Sequence, residues 1–114
     1  MDAELNDSAT AKALVRKLPL TVDLSRWGEE LYGSVGLGKN PEPGARDVME
    51  VGELAYWPPG DAFCVFFGPT PASSGKEPRA ASEVTPIGRI TGDPALLRSL
   101  GGRVRATIET ADTG

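Results

Sequence analysis

Glu30, in the run Trp27-Gly28-Glu29-Glu30-Leu31-Tyr32, is the residue of this chain whose neighbours best suit it to acid–base chemistry. A carboxyl held among aromatic rings loses hydration, so its pKa rises toward neutrality and it becomes able to take or give a proton. The competing structural role is an exposed strand residue, or an ion-pair partner for Arg79, Arg89 or Arg105, and strand carboxylates fill that role more often. A second group of residues suits binding rather than proton transfer. Trp27, Tyr32, Tyr56, Trp57 and Phe66 offer broad apolar faces, and the tyrosine O–H and tryptophan N–H groups can orient a ligand. The same rings can also simply fill a core, and this is the expected role for Phe63, Phe66 and Phe67. Tyr56 and Trp57 are more open to either role, because their polar tips need partners if buried. Arg79 lies in a polar stretch and could close over an anionic ligand, although a solvated arginine is the default. Asp61 follows Pro58-Pro59-Gly60 and reads as a turn residue.

Two absences remove more chemistry than these residues admit. The 114-residue chain has no histidine and no glutamine. Histidine triads, histidine general bases and histidine metal sites therefore cannot be built from it alone, and a cysteine-rich zinc site is excluded by its single thiol. No metal and no cofactor is expected. Cys64 lies within Phe63-Cys64-Val65-Phe66-Phe67 and reads as a buried small hydrophobe, since apolar burial suppresses the thiolate. With one cysteine no intrachain disulfide can form. Gly36-Leu37-Gly38-Lys39 and Gly101-Gly102 complete neither a phosphate loop nor a dinucleotide fingerprint, and both read as turns.

The net charge of −4 and pI near 4.8 give no cationic footprint for a phosphate backbone, so nucleic acid is not an expected partner. Arg103 and Arg105 alternate with Val104 and Ala106, the pattern of a strand's wet face. The N-terminal segment lacks a basic start followed by an unbroken apolar stretch, so no secretory signal or membrane span is expected and a cytoplasmic location follows by default.

The elements that must position these residues are short. One domain over residues 1–114 is expected from the length, and 14 glycines with 10 prolines punctuate it often enough to favour brief strands. Met1 to Leu5 suits an edge strand. Asp7 or Ser8 can cap a helix running to about Lys17, with Ala11, Leu14, Val15 and Leu18 as its apolar stripe, and Pro19 ends it. Leu20 to Leu24 alternates with its apolar residues at even positions, whereas Trp27, Leu31 and Val35 are odd. A turn or bulge near Ser25 to Gly28 would reconcile the two, with Glu30 and Tyr32 opposite Trp27 and Leu31.

Gly36 to Asp47 is a loop, and Val48 to Val51 can pair briefly. Val51 to Pro71 carries five of the seven aromatic residues. It reads as two strands joined by Pro58-Pro59-Gly60-Asp61, with Phe63, Val65 and Phe67 on one face and Ala62, Cys64 and Phe66 on the other. Both faces are then buried, one of them under a helix. Thr70 to Ser82 is an exposed loop, Glu83 to Thr91 a bent or bulged strand around Pro86 and Gly88, and Asp93-Pro94 a helix start ended by Gly101-Gly102. Arg103 to Glu109 is a half-buried strand. A mainly β fold follows: a closed barrel of about eight strands with two short helices, since closure hides the edges.

Asp7-Ser8-Ala9-Thr10-Ala11-Lys12-Ala13-Leu14, the Trp27 to Tyr32 run, Gly52-Glu53-Leu54-Ala55-Tyr56-Trp57-Pro58-Pro59-Gly60, Phe66-Phe67-Gly68-Pro69-Thr70-Pro71 and Ile87-Gly88-Arg89-Ile90 occur in that order. Together they resemble the small bacterial and archaeal cyclophilin-like proteins, over nearly the whole chain. The resemblance implies an eight-stranded cyclophilin-like barrel with two helices. It does not imply the prolyl isomerase activity of true cyclophilins, whose sites combine arginine with glutamine, histidine and aromatic residues. This chain has no glutamine or histidine for those roles, and fold alone does not transfer function.

The expected function is a binding module holding a small molecule or peptide in an aromatic-lined cleft at Trp27, Glu30, Tyr32, Tyr56, Trp57, Phe66 and Arg79. The alternatives are a carboxylate-dependent enzyme centred on Glu30 or a divergent prolyl isomerase. A third reading is a homo-oligomer formed through exposed aromatic surface.

Overall fold

The structure is a computed structural model and describes residues 1–111. It contains eight strands, β1 (Ala3–Leu5), β2 (Leu20–Arg26), β3 (Glu30–Ser34), β4 (Arg46–Val48), β5 (Glu53–Trp57), β6 (Ala62–Phe66), β7 (Arg79–Ile90) and β8 (Arg103–Ile108). One α-helix, α1 (Ala9–Lys17), and two 3-10 segments, Pro58–Gly60 and Pro94–Ser99, complete it. The strands form one antiparallel sheet in the order β1-β7-β5-β6-β3-β2-β8, and β4 pairs with β7 off that path.

The sheet curls but does not close, which corrects the expected closed barrel. β1 pairs only with the far end of β7 and β8 only with β2, so the path has two ends. Side chains cover the inner face instead of a final strand pairing. Ala11 and Leu14 of α1, with Leu97 and Leu100 from the last 3-10 segment and its cap, join the core made by Val22, Leu24, Leu31, Leu54, Val65 and Phe67. Arg26 ties that segment down: it donates to the Arg98 and Leu100 carbonyls at 3.1 and 2.9 Å, and its guanidinium lies 5.1 Å from the Phe67 ring centroid.

The helix starts where its cap allows. Ser8 accepts from the Ala11 amide at 3.1 Å, and Arg16 and Lys17 occupy the last turn, where cations suit the helix dipole. The apolar stripe differs from expectation at one position: Val15 is exposed, while Thr10 is buried because Glu42 accepts from its amide at 2.9 Å and from its hydroxyl. The second expected helix begins at its Asp93 cap but winds as a six-residue 3-10 segment.

β6 is buried along its whole length. Its odd residues, Phe63 and Val65, belong to the inner core, and its even ones, Ala62, Cys64 and Phe66, to a separate outer cluster with Met49, Ala55, Ala80 and Val84. The cover on the outer face is therefore the β4–β7 ribbon, while α1 serves the inner face. β7 begins at Arg79, before the expected Glu83, so the last four residues of the expected 70–82 loop are strand. What remains of that loop is held internally: Thr70 Oγ1 donates to the Arg79 carbonyl at 2.5 Å, Ser73 Oγ to the Glu77 carbonyl at 2.5 Å, and Glu77 accepts from the Ser74 and Gly75 amides. The expected bend at Pro86 and Gly88 is present as a register shift, with Leu54 opposite Gly88 and Ala55 opposite Pro86. Gly88 admits β1 at close range: a Cβ there would lie 2.2 Å from the Glu4 carbonyl oxygen.

Candidate functional site

The outer cluster opens on one side into a pocket of ≈ 160 Å³ lined by Trp27, Glu30, Tyr32, Trp57, Ala80, Ala81 and Val84. Strand alternation explains most of this set. Glu30 and Tyr32 stand opposite Phe66 and Cys64 across the β3–β6 pair, and Trp57 stands opposite Ala62 across β5–β6, so all of them share the outer face. Ala80 and Val84 enter from the β7 ribbon, where small side chains leave room above the aromatic floor.

Trp27 reaches the pocket through a turn rather than a strand. Its amide donates to the Glu30 carbonyl at 2.8 Å and its carbonyl accepts from the Glu30 amide at 3.2 Å, closing a two-residue hairpin over Gly28 and Glu29. Gly28 has φ +62, the positive value that the first central position of a II′ hairpin requires. It also packs so closely that a Cβ would lie 2.8 Å from Thr70 Cα and 2.9 Å from Pro71 Cδ. The odd-parity expectation had put Trp27 opposite Glu30. Parity does not carry through a chain reversal, and the turn brings the indole to the side of Glu30.

Glu30 is the polar centre of the pocket. It is 5% exposed, and its Oε1 is buried with no hydrogen-bond partner among the described residues. Burial pushes its pKa up to about 7, with the Cys64 thiol alongside holding the rise back. That thiol is pushed well above its ordinary range, first by burial and then by the Glu30 charge, and it donates to the Ala62 carbonyl at 3.8 Å. The arginines expected as partners for Glu30 are engaged elsewhere. Arg79 pairs with Asp47 at 3.3 Å and Glu77 at 3.5 Å, Arg89 with Glu50 at 3.0 Å, and Arg105 with Asp23 at 2.9 Å.

The remaining expected site residues fall as follows. Trp57 lies at the pocket wall with its indole N–H donated to Ser82 Oγ at 2.7 Å, so it offers the cavity carbon alone. Tyr32 stands at the exposed margin. Phe66 is fully buried in the cluster beneath. Tyr56 points to the other face, into the inner core, because adjacent residues of a strand face opposite ways. Its hydroxyl donates to Asp61, and burial together with that bond pushes its pKa to about 12. Arg79 does not line the pocket.

Sequence reasoning missed the role of Asp61. It adopts a left-handed conformation at φ 50 and accepts from the Leu37 and Gly38 amides at 2.8 and 3.0 Å as well as from Tyr56, anchoring the long loop after β3. The proline-glycine turn before it was the available signal, since Asp tolerates that conformation. Ala80, Ala81 and Val84 were also missed, because nothing local distinguishes them from other small strand residues.

A curled antiparallel sheet of eight strands, with a helix on its inner face, defines the class. The cyclophilin-like family model matches residues 1–109, and the protein belongs to that family. Among solved structures it is similar to the solution structure of a hypothetical protein from Archaeoglobus fulgidus, at 36% identity over 96% of this chain and 85% of that one, with a TM-score of 0.79. No curated protein matches it.

Proposed function

We propose that the outer-face pocket binds a small molecule, or one side chain of a peptide, with Glu30 as its polar anchor. The observation that carries this reading is the buried, unpartnered Oε1 of Glu30. An acceptor left unpaired in an apolar wall costs about 1–3 kcal/mol, and a ligand donor placed there recovers it. The aromatic walls suit apolar contact, and a cavity of ≈ 160 Å³ is of the size that takes a single benzene-sized group. The ligand therefore inserts a head group and leaves its remainder at the mouth, near Tyr32.

A fragment screen by thermal shift, followed by NMR titration of each hit into wild type, Trp57→Ala and Glu30→Gln, tests this. Hits should move the Trp57 indole resonance and weaken at least tenfold in Trp57→Ala. Fragments that bind equally well to both variants would place the site elsewhere.

A second reading is supported by the pKa of Glu30 alone. A carboxyl pushed up to about 7 is matched to proton transfer near neutral pH, so a bound ligand carrying an acidic C–H or N–H could be deprotonated there. Solvent deuterium exchange into such a ligand, catalysed by wild type and lost in Glu30→Gln, is the expected sign; binding without exchange leaves the pocket as a binding site only.

A further inference from the structure

The proposed pocket can be taken further, to the chemistry of its ligand. Among the described residues its only ionisable lining groups are Glu30 and Tyr32, and no lysine or arginine among them lines it. The nearby cations are committed: Arg79 to Asp47 and Glu77, Arg98 to Glu29, and Arg26 to the Gly28, Arg98 and Leu100 carbonyls. Trp57 has no donor left, since its N–H is held by Ser82. What the site lacks is therefore a positive charge with a hydrogen to donate, and the surfaces that would surround it are two indoles and a phenol. Aromatic faces attract cations, tryptophan most strongly, and the attraction grows where water is excluded.

The number of donors narrows the choice. Glu30 Oε1 is the carboxylate oxygen that is both fully buried and unpartnered among the described residues, so the ligand must bring at least one N–H for it. A primary ammonium brings three N–H groups, more than the two oxygens of one carboxylate take up, and the aromatic walls leave the excess stripped of water. A quaternary ammonium brings none and leaves the oxygen orphaned. A protonated tertiary amine brings one N–H and three alkyl arms. We propose, resting on the pocket reading above, that the ligand's head group is a protonated tertiary amine, its N–H on Glu30 Oε1 and its alkyl arms against Trp27, Tyr32 and Trp57.

The sign of the pH dependence separates this from the opposite arrangement, in which a neutral Glu30 donates to a ligand carbonyl. A cation needs Glu30 ionised. With its pKa at about 7, about one part in ten of the free protein is competent at pH 6 and about nine in ten at pH 8, so a cation binds roughly tenfold more tightly at pH 8. A carbonyl ligand shows the reverse. The titratable groups facing Glu30 are the Cys64 thiol on β6, which burial pushes well above its ordinary range, and the Tyr32 phenol on β3; β5 and β7 present Trp57, Ala80, Ala81 and Val84.

The test is an NMR titration of the full chain, following the Trp27 and Trp57 indole N–H signals at pH 6 and pH 8. The probes are N,N-dimethylethylamine, ethylamine, tetramethylammonium, tert-butanol and N,N-dimethylacetamide. The tertiary amine should bind best, roughly tenfold tighter at pH 8 than at pH 6, and Glu30→Gln should abolish both its pH dependence and its advantage over tert-butanol. If Glu30→Gln does not fold, the wild-type pH series and the ranking of probes still decide. Tighter binding of dimethylacetamide at pH 6, or equal binding of tert-butanol and the amine, overturns the amine assignment while leaving an occupied pocket. Absence of indole shifts with every amine overturns it too, and shifts with neutral probes then show that the pocket itself survives.

Discussion

Glu30 carries a cost that depends on pH. Its ordinary value of 4.5 applies to the unfolded chain, and in the fold it is pushed up to about 7. Between those values the folded state keeps a proton that the unfolded state has lost, so the stabilising effect of the neutral carboxyl is complete below pH 4.5 and is lost as pH rises through 7. Glu30→Gln removes the titrating group. Urea unfolding across pH 4 to 8 should show the variant gaining on wild type through this window, by up to about 3 kcal/mol at pH 8 relative to pH 4. A parallel pair of curves would mean that Glu30 titrates normally. Tyr56 and Asp61 act in the opposite sense, because their groups are matched. Tyr56→Phe should cost about 1 kcal/mol, since Asp61 keeps its two amide donors, whereas Asp61→Ala strands three donors and should cost at least about 2 kcal/mol by the same measurement. Both residues stand out in the sequence, but the pairing does not: Tyr56 read as a ligand residue and Asp61 as a turn residue. Their side chains meet only because the 3-10 turn at Pro58–Gly60 folds Asp61 back toward the inner face.

The β2–β3 hairpin is the element on which the pocket depends. It delivers Trp27 from its turn and Glu30 from the first position of the strand beyond. Gly28→Ala puts a side chain at φ +62, for about 1–3 kcal/mol of backbone strain, and drives the new Cβ against Thr70 Cα and the Pro71 ring. The expected result is a lower unfolding midpoint together with a displaced Trp27 indole signal and weakened binding of any pocket ligand. A variant that loses stability yet keeps the indole environment would show that the turn does not position Trp27. The sequence announced this turn through its parity change between Leu24 and Leu31. It did not say which way the indole would face, because a reversal erases the alternation on which such an assignment rests. Alternation did predict β6 well, where Phe63 and Val65 separate cleanly from Cys64 and Phe66.

At the scale of the molecule, the open sheet has a stable middle and two ends. β5 and β6 lie between paired neighbours on both sides and are almost wholly buried, whereas β1 is three residues long and β8 is bonded along one edge only. Amide hydrogen exchange should be slowest in Leu54 to Tyr56 and Phe63 to Phe66, and faster by orders of magnitude in β1 and along β8. Uniform protection through β1 and β8 would indicate that these edges are paired, and so that the barrel closes.

The amino-acid sequence by itself determined the mainly β class, the family, the approximate number of strands, the caps of the helical segments and the chemistry that a chain without histidine cannot perform. These follow from composition, local conformational preference and period-two alternation, all of which act between residues close along the chain. Tertiary structure alone decided that the sheet stays open, that Trp27 and Trp57 line one pocket with Glu30 while Tyr56 and Arg79 do not, and that β7 brings Ala80 and Val84 across to wall it. Each of those outcomes joins residues tens of positions apart, and depends on which face of one strand a distant strand happens to cover. The unpartnered oxygen of Glu30 belongs to the same kind: it lacks a partner because Arg79, Arg89 and Arg105 are paired with other carboxylates.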